Sequence, residues 1–285
     1  MVWKIVIITI LILILIFVAI CVIDCHSLVI RKYELFSEKI TGEMRFLLLT
    51  DLHGSSFGRD NDRLLRKIES LSFDAIMISG DMFTAVSSGK GIDVALSLLK
   101  ELSSKYPVYY ANGNHELKTK ERPDEFGLVY EKYVEKLREF NIHFLSNESV
   151  AIEGNCRVFG LDLPFEYYKK SKEYTLSKET IEEYIGNAGL DEYNILLAHN
   201  PEYFEGYAAW GADVVLSGHY HGGLMRLPFI GGFISPKFKL FPKTDAGKFT
   251  LENTDMVLSC GLGTHTLPIR VFNPGEISYI IVKNK

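Results

Sequence analysis

The chain begins with an apolar segment that no charged residue interrupts. Across residues 5–23 every residue is apolar except Thr9. A helix of this length rises about 1.5 Å per residue, so it extends roughly 30 Å and crosses the hydrocarbon core of a bilayer. A helix that is apolar on all sides also favours a lipid environment. The pattern predicts a transmembrane anchor over residues 1–24 and a single-pass protein of the cell membrane.

Three other interpretations of this segment fit its sequence less well. A cleaved signal peptide usually has a shorter apolar region, and the AIC sequence before Val22 makes a poor cleavage site. A lipoprotein would carry a small residue before its cysteine, and Ile20 and Asp24 do not meet that requirement. A buried core helix is the third interpretation, but a wholly apolar helix at the terminus favours lipid over a protein core.

Basic residues flank the segment on both sides. Lys4 precedes it, and Arg31, Lys32 and Lys39 follow it. Because positive charge is enriched on the cytoplasmic side of a membrane, this count slightly favours a cytoplasmic C-terminal domain. The excess is small, so the side of the membrane stays open.

After a mixed, charged connector over residues 25–44, short apolar runs alternate with amphipathic stretches. Each run is rich in aliphatic or aromatic residues and is bounded by polar residues or glycine, as is typical of a buried strand. The runs are MRFLLLT, FDAIMIS, YPVYYA, YNILLA and ADVVLS. Helices are predicted over residues 61–70, 92–102, 126–140 and 201–210. This alternation favours an α/β fold with largely parallel sheets.

The C-terminal part shows a different pattern. The runs KFTLE, DMVLSC and EISYIIV indicate further strands without intervening helices. No internal repeat or low-complexity block divides the chain. We therefore expect one domain over residues 45–285.

Side chains able to bind a metal follow five of the predicted strands. In open α/β sheets the loops at the carboxyl ends of the strands converge on one crevice, where ligands bind. Five of the eight histidines lie at such strand ends. The full set is Asp51, His53, Asp81, Asn114, His115, His199, His219 and His221.

The residue types in this set indicate two divalent metal ions. In extended backbone, residues two apart face the same way, so Asp51 and His53 are expected to face one spot, as are His219 and His221. Imidazole and carboxylate without thiolate suit Mn, Fe, Zn, Ni or Co. Seven of these eight side chains, all but His115, are expected as ligands, a number too large for one ion and suited to two. Two carboxylates would leave two divalent cations with surplus positive charge, which favours an anionic substrate.

Each motif taken alone has an ordinary structural explanation. A DxH sequence at a strand end can form a salt bridge, and GD is common in turns. A lone histidine before NPE can serve as a hydrogen bonder at a helix start, and GHYH can be a surface loop. Five motifs in this order, each after a predicted strand, together indicate a metal site.

The series DxH, GD, GNHE, H and GHxH resembles the calcineurin-like metallophosphoesterase superfamily. The resemblance implies a two-sheet αββα sandwich with a dinuclear metal centre. It further implies that a hydroxide bridging the metals attacks a phosphomonoester, a phosphodiester or a pyrophosphate. By the same resemblance, one metal is held by Asp51, His53 and His221, the other by Asn114, His199 and His219, and Asp81 bridges them.

The GNHE motif implies a catalytic role for one histidine. By the resemblance, His115 is the catalytic residue that donates a hydrogen bond or a proton to the phosphate or the leaving group. Glu116 either fixes the loop or serves as an ordinary helix-start residue. Many superfamily members carry a carboxylate three residues after the bridging aspartate, where it orients the catalytic histidine. Thr84 occupies that position here, so His115 lacks the expected partner.

A second, looser resemblance links the C-terminal part to a membrane-tethered branch that includes UDP-diacylglucosamine pyrophosphohydrolase-like proteins. It is carried by HGGLMRLPFIGGFISPKFKLFPKTDAGKF and GLGTHTLPIRVFNPGEI. Cys260 and Gly275 depart from the arginine and proline expected there. His265 and Arg226 are expected as substrate contacts. The apolar run after His221 is either a loop packed on the core or a lip that contacts acyl chains.

Composition limits the remaining classes of function. The net charge of −5 comes without a basic stripe, so no nucleic-acid partner is expected and a nuclease is disfavoured. The four cysteines form neither a disulfide framework nor a CxxC metal site. The sequence predicts a membrane-attached, metal-dependent phosphoester hydrolase, acting on a phosphorylated small molecule or, in lipid metabolism, on a lipid-linked substrate. The alternative is a non-catalytic, membrane-anchored metal-binding scaffold of the same fold.

Overall fold

Two mixed sheets form the centre of the protein. The computed structural model describes residues 2–89, 91–169, 174–223, 225–227, 231–232, 244–264 and 268–285. Its strands are β1 (Leu28–Ser37), β2 (Glu43–Leu49), β3 (Ala75–Ser79), β4 (Val108–Ala111), β5 (His143–Phe144), β6 (Glu148–Ile152), β7 (Cys156–Gly160), β8 (Tyr193–Leu197), β9 (Val214–Ser217), β10 (Arg226–Leu227), β11 (Gly231–Gly232), β12 (Gly247–Leu251), β13 (Thr254–Leu258) and β14 (Gly275–Asn284).

The strand order explains why the loops of both sheets reach one site. Within the described residues, the first sheet has the order β1-β14-β2-β3-β4-β5 and the second has the order β12-β13-β9-β8-β7-β6. The neighbouring pairs β2–β3, β3–β4, β7–β8 and β8–β9 are all parallel. The carboxyl ends of the central strands in each sheet therefore lie along one edge.

Helices cover the outer faces of both sheets. In chain order the helices are the N-terminal α1 (Val2–His26), which projects from the sandwich, and then α2 (Asp62–Glu69), α3 (Ile92–Ser103), α4 (Asn114–Glu121), α5 (Pro123–Phe126), α6 (Val129–Glu139), α7 (Lys178–Ile185) and α8 (Phe204–Trp210). Leu64, Leu99 and Leu137, from α2, α3 and α6, join the core on the outer face of the first sheet. Ile181 and Trp210, from α7 and α8, join the core on the outer face of the second.

A third apolar layer holds the two sheets together. Leu48 and Met77 from the first sheet join one core with Leu197 and Val257 from the second. The layers are therefore helix, sheet, sheet and helix, and the predicted αββα sandwich is confirmed.

Most of the predicted elements are present, with two differences among the helices. The helix predicted over 126–140 is divided, because α5 ends at Phe126 and Gly127 adopts a φ of 61° before α6 begins at Val129. The helix predicted over 201–210 starts as the 3-10 turn Pro201–Tyr203 and becomes α-helical at Phe204.

The segment expected as a connector contains a strand. Residues 25–44 include β1, which pairs in parallel with β14 from Leu28 opposite Gly275 to Ser37 opposite Asn284. Side chains alternate along β1, with Lys32 and Glu34 exposed on one face and Arg31 and Tyr33 partly buried on the other. Because charged residues occupy both faces of this edge strand, its sequence lacks the apolar alternation that predicts a strand.

The N-terminal helix projects from the sandwich. It has 25 residues, and within the described residues it is the one helix long and apolar enough to cross a membrane. Its side chains are exposed over most of its length, and residues 20, 21, 24 and 25 are partly buried against the domain.

Candidate metal centre

The predicted metal ligands meet where the central strands of both sheets end. Strands β2, β3 and β4 lead to Asp51, Asp81 and Asn114, and strands β8 and β9 of the second sheet lead to the loops with the remaining histidines. Two carboxylates in this crevice are almost completely inaccessible to water, Asp51 at 0% and Asp81 at 1% exposed. A pair of acids buried this deeply requires compensating positive charge or protons.

One group of ligands surrounds Asp51. Its Oδ1 lies 3.2 Å from Nε2 of His221 and 3.9 Å from Nε2 of His53. The two imidazole Nε2 atoms are themselves 3.2 Å apart. Three donor atoms therefore converge within the reach of one cation.

A second group surrounds Asp81. Its Oδ2 lies 3.2 Å from Nε2 of His199, and a nitrogen of His219 lies within the same cluster of donor atoms. The same carboxylate oxygen is 3.8 Å from Nε2 of His53, which belongs to the first group. Asp81 therefore lies between the two groups.

Buried atoms without hydrogen bonds test whether the site fits a cation. Oδ1 of Asn114 is buried and has no hydrogen-bond partner among the described residues. Nε2 of His199 is buried as well, and its approach to Asp81 lacks the alignment of a hydrogen bond. Buried polar atoms without a partner are rare and costly in folded proteins unless a ligand satisfies them. The arrangement fits divalent metal ions, which accept lone pairs from such atoms.

Hydrogen bonds behind the imidazoles aim their Nε2 atoms into the crevice. Nδ1 of His199 donates to the carbonyl oxygen of Ser79 at 2.5 Å. Nδ1 of His53 lies 3.1 Å from Oγ1 of Thr84. Such partners fix the orientation of a ligating ring and increase its basicity.

The backbone conformation differs from the extended geometry that the spacing predicted. Asp51, His53, Asp81, His219 and His221 all have positive φ, between 49° and 70°. Non-glycine residues rarely adopt this left-handed region, and at functional sites its cost is offset by the surrounding structure. The DxH and HxH pairs therefore converge through tight turns after each strand, and the explanation from extended backbone is wrong.

Two glycines allow these turns to pack against one another. A Cβ atom on Gly218 would overlap the carboxylate of Asp51, and a Cβ on Gly113 would overlap that of Asp81. Gly80 in addition has a φ of 76°, which lets the chain reverse just before Asp81.

The two carboxylates differ in their ionisation. Burial raises the pKa of Asp51 to about 6, although the imidazole of His199 opposes this effect. Burial also acts on Asp81, but the nearby imidazole of His199 holds its pKa well below the usual value. For His199, burial lowers the pKa, yet the carboxylate of Asp81 outweighs burial and raises it to about 9. In the metal-free state, bound protons balance part of the negative charge of the two carboxylates. The crevice therefore favours the binding of cations, which can replace these protons.

His115 has a partner that its sequence context did not reveal. The backbone N–H of Ala85 donates to Nδ1 of His115 at 2.9 Å. Thr84, the residue in the position of the missing carboxylate, instead contacts His53. Since Nδ1 accepts a hydrogen bond, the neutral ring carries its proton on Nε2. The histidine is oriented by a backbone donor in place of a carboxylate.

Glu116 serves in both roles that the sequence left open, since it fixes the loop and also accepts from the N-cap residue at the start of α4. Its buried carboxylate accepts hydrogen bonds from the backbone N–H groups of Asp81, Met82 and Gly113 at 2.9 to 3.0 Å. The hydroxyl of Tyr110 donates a fourth. One side chain thereby joins the loops after β3 and β4. Because its partners are mostly backbone N–H groups, which every residue except proline possesses, the sequence does not predict these contacts.

The expected substrate contacts lie partly outside the described residues. His265 and most of the apolar run after His221 fall outside the described residues. Nη1 of Arg226 forms an ion pair with Asp245 at 3.0 Å and lies beside the loop that carries His221. At Cys260, where an arginine was expected, Nη1 of Arg31 from β1 lies 3.0 Å from Sγ.

The sequence profile described as calcineurin-like phosphoesterase matches residues 44–223, a range that contains every predicted metal ligand. The chain belongs to the calcineurin-like phosphoesterase family. Members of this family are hydrolases of phosphoester bonds that use two divalent metal ions, so the predicted enzyme class and cofactors are confirmed. The resemblance to the UDP-diacylglucosamine pyrophosphohydrolase-like branch stays a prediction.

Relatives similar in sequence carry the metallophosphoesterase name without a named substrate. The chain is 26% identical over 268 residues to an uncharacterized metallophosphoesterase of Aquifex aeolicus, covering 92% of this chain and 95% of that one. It is also 26% identical to a transmembrane protein with metallophosphoesterase domain of Danio rerio, covering 88% of this chain and 55% of the relative. The match to an uncharacterized metallophosphoesterase of Helicobacter pylori covers 63% of the length of that relative. A solved structure, phosphopantetheinyl hydrolase from Mycobacterium tuberculosis, superposes with a TM-score of 0.45 at 14% identity, covering 79% of this chain and 91% of that one.

Proposed function

We propose that this calcineurin-like phosphoesterase is a membrane-attached hydrolase whose crevice holds two cations. Asp51, His53 and His221 would bind the first cation. Asn114, His199 and His219 would bind the second. The observation that carries this assignment is the position of Asp81, whose carboxylate oxygen lies within 4 Å of one imidazole from each group.

Two bound divalent cations would supply Lewis acidity and a water of lowered pKa. The protein's own contribution is to hold the donors rigidly and to exclude bulk water. Asp51 and Asp81 keep the crevice negative enough to retain the cations, and the buried imidazoles keep their Nε2 atoms directed inward.

His115 would act on the substrate. Its backbone N–H donates to Oδ1 of Asp81 at 2.8 Å, which fixes the ring beside the centre. Its ring centroid is 5.0 Å from that of His53. Since Nδ1 accepts from Ala85, Nε2 carries the proton that His115 would give to a phosphate oxygen or to the leaving-group oxygen.

Attachment to the membrane is supported by the N-terminal helix and by the relatives. The helix is apolar throughout its central part and is almost completely exposed, as a lipid-facing helix would be. Relatives from Danio rerio and Bos taurus are named transmembrane proteins. The substrate class that fits the family is a phosphoester or pyrophosphate of a small molecule or a lipid-linked molecule.

The test uses the full-length protein in detergent micelles loaded with Mn²⁺. Hydrolysis of p-nitrophenyl phosphate and bis-p-nitrophenyl phosphate is measured with wild type, with His115→Ala and with His143→Ala as a control at an exposed histidine. We expect His115→Ala to lower kcat roughly 10²- to 10⁴-fold while it retains metal, and His143→Ala to match wild type. A folded, metal-loaded wild type that hydrolyses neither compound would contradict the proposal and favour the scaffold.

A further inference from the structure

The N-terminal helix continues into the catalytic domain with a single residue between them. Helix α1 ends at His26 and β1 starts at Leu28. The intervening Ser27 accepts a hydrogen bond from the backbone N–H of Gly275 at 3.0 Å through its carbonyl oxygen. A flexible tether would need several unpaired residues here, so the helix is fixed relative to the first sheet.

The last two turns of the helix also bind to the loop before β14. Sγ of Cys21 and Sγ of Cys25 both donate to the carbonyl oxygen of Pro268, at 3.4 and 3.3 Å. Oδ2 of Asp24 accepts from the backbone N–H of Asn273 at 3.0 Å. Contacts on one helical face, spaced three and four residues apart, hold the helix end against residues 268–273.

Asn273 connects this helix contact to the metal centre. Its side-chain amide donates to the carbonyl oxygens of His221 and Gly223, at 2.7 and 3.1 Å. Its side chain is almost completely buried. One residue therefore contacts the helix through its backbone and the turn of a predicted metal ligand through its side chain.

The position of the charges along the helix fixes the depth of this contact in a membrane. Asp24 is the first charged residue after the apolar segment, so the hydrocarbon boundary lies near it. Cys21 is about 4.5 Å deeper, given the rise of a helix. With α1 in a bilayer, the loop of residues 268–273 would lie at the lipid surface, because Pro268 contacts Cys21 as well as Cys25.

The outer side of this loop is apolar. Pro268 is exposed, and Phe272 keeps 49% of its surface accessible. Phe272 has a φ of 52°, a conformation that is unfavourable for an aromatic residue. It precedes Asn273, which contacts both the helix and the turn of His221. An exposed aromatic ring at this depth suits the interface between headgroups and acyl chains.

We propose that residues 268–273 rest on the bilayer that α1 spans, and that the metal centre hydrolyses a phosphorylated lipid of that same bilayer. The inference rests on the proposed function. Asn273 joins Asp24 at the membrane boundary to the turn of His221, so the crevice would lie close to the lipid headgroups. In the reaction, a new P–O bond forms from water and the P–O bond to the leaving group breaks, with the proton of water passing to the departing oxygen.

The contact with lipid is tested by fluorescence, independently of catalysis. Full-length Phe272→Trp and, as a control at a distant exposed site, Leu190→Trp are reconstituted in phosphatidylcholine vesicles with and without brominated acyl chains. We expect brominated lipid to quench the additional emission of Phe272→Trp at least twofold more than that of Leu190→Trp. Equal quenching of the two variants would overturn the proposed contact, whether water or a second copy of the chain covers Phe272.

The substrate is tested with vesicles that contain a diacylglycerol ester of methylumbelliferyl phosphate. The lipid is placed either in the vesicles that carry the protein or in separate vesicles, and a water-soluble short-chain analogue is assayed in parallel. We expect wild type to hydrolyse the lipid in its own vesicles at least tenfold faster than in separate ones. A variant with twelve Gly and Ser residues inserted between Ser27 and Leu28 is expected to lose most of that difference.

The outcomes separate the two proposals. Equal wild-type rates on the two kinds of vesicle, with hydrolysis of the short-chain analogue, would overturn the inference and leave the proposed function intact. Failure to hydrolyse every compound in Mn²⁺ would contradict the proposed function, while the quenching experiment would still decide the membrane contact.

Discussion

Ala85 donates its backbone N–H to Nδ1 of His115 at a distance of 2.9 Å. In this way the polypeptide backbone supplies the orienting partner for which sequence comparison anticipated a carboxylate. A backbone donor favours the neutral ring with its proton on Nε2, whereas a carboxylate would favour the doubly protonated ring.

We expect Ala85→Pro to lower kcat about tenfold or more with little change in KM, because it removes the N–H that orients His115. Ala85→Gly keeps the N–H and is the matched control. The measurement is hydrolysis of bis-p-nitrophenyl phosphate at saturating Mn²⁺, together with metal content and melting temperature. A folded, metal-loaded Ala85→Pro protein with wild-type kcat would show that the hydrogen bond has no catalytic role.

Thr84 is expected to tune metal affinity and not to act on the substrate. Its hydroxyl contacts Nδ1 of His53, and loss of such a partner typically weakens metal binding 10- to 100-fold. We expect Thr84→Val to bind Mn²⁺ more weakly by this factor and Thr84→Ser to bind it with near-normal affinity. Isothermal titration calorimetry with Mn²⁺ measures both affinities. Unchanged affinity in Thr84→Val would exclude the role.

Glu116 is expected to matter first for stability. Glu116→Gln replaces one carboxylate oxygen by an N–H₂ group that faces backbone N–H donors, so a buried donor loses its acceptor. We expect a loss of about 1–3 kcal/mol in the free energy of unfolding of the metal-free protein. Denaturant unfolding in detergent measures it, with Glu69→Gln on an exposed helix position as the control. Equal unfolding free energies of the two variants would contradict this assignment.

Metal binding is expected to release protons in a pH-dependent way. The raised pKa of His199, about 9, means that this ring is protonated at pH 7 in the metal-free protein, while Asp51 with a pKa of about 6 is mostly ionised. A cation must displace the proton from His199, so roughly one proton should leave at pH 7 and almost none at pH 10. Calorimetric titration in two buffers of different ionisation enthalpy measures this number. Absence of proton release at pH 7 would show that His199 is not a ligand or is neutral before binding.

The sequence predicted the fold and the positions of the metal-site motifs because both depend on local patterns. Apolar runs such as YNILLA form buried strands, and the polar residues after them must lie at the sheet edge. The left-handed backbone at Asp51 and His53 was not predictable, since nothing in a DxH motif distinguishes a turn from a strand end.

Other features lie beyond sequence patterns because they depend on backbone atoms or on distant pairing. The donor for His115 is a peptide N–H, which every residue except proline possesses. Strand β1 was missed because Arg31 on its partly buried side pairs with Glu276, 245 residues away. A charged residue on the buried side of a strand can be identified as such only when the residue that pairs with it is known.

The pairing of β1 with β14 determines where the protein can be shortened. Removal of everything before residue 45, the boundary suggested by the apolar pattern, would delete β1 and uncover the full ten-residue edge of β14. A bare edge of that length recruits other strands and promotes aggregation. Soluble material for crystallography or enzyme assays should therefore start at Leu28, the first residue of β1, so that the C-terminal strand keeps its neighbour.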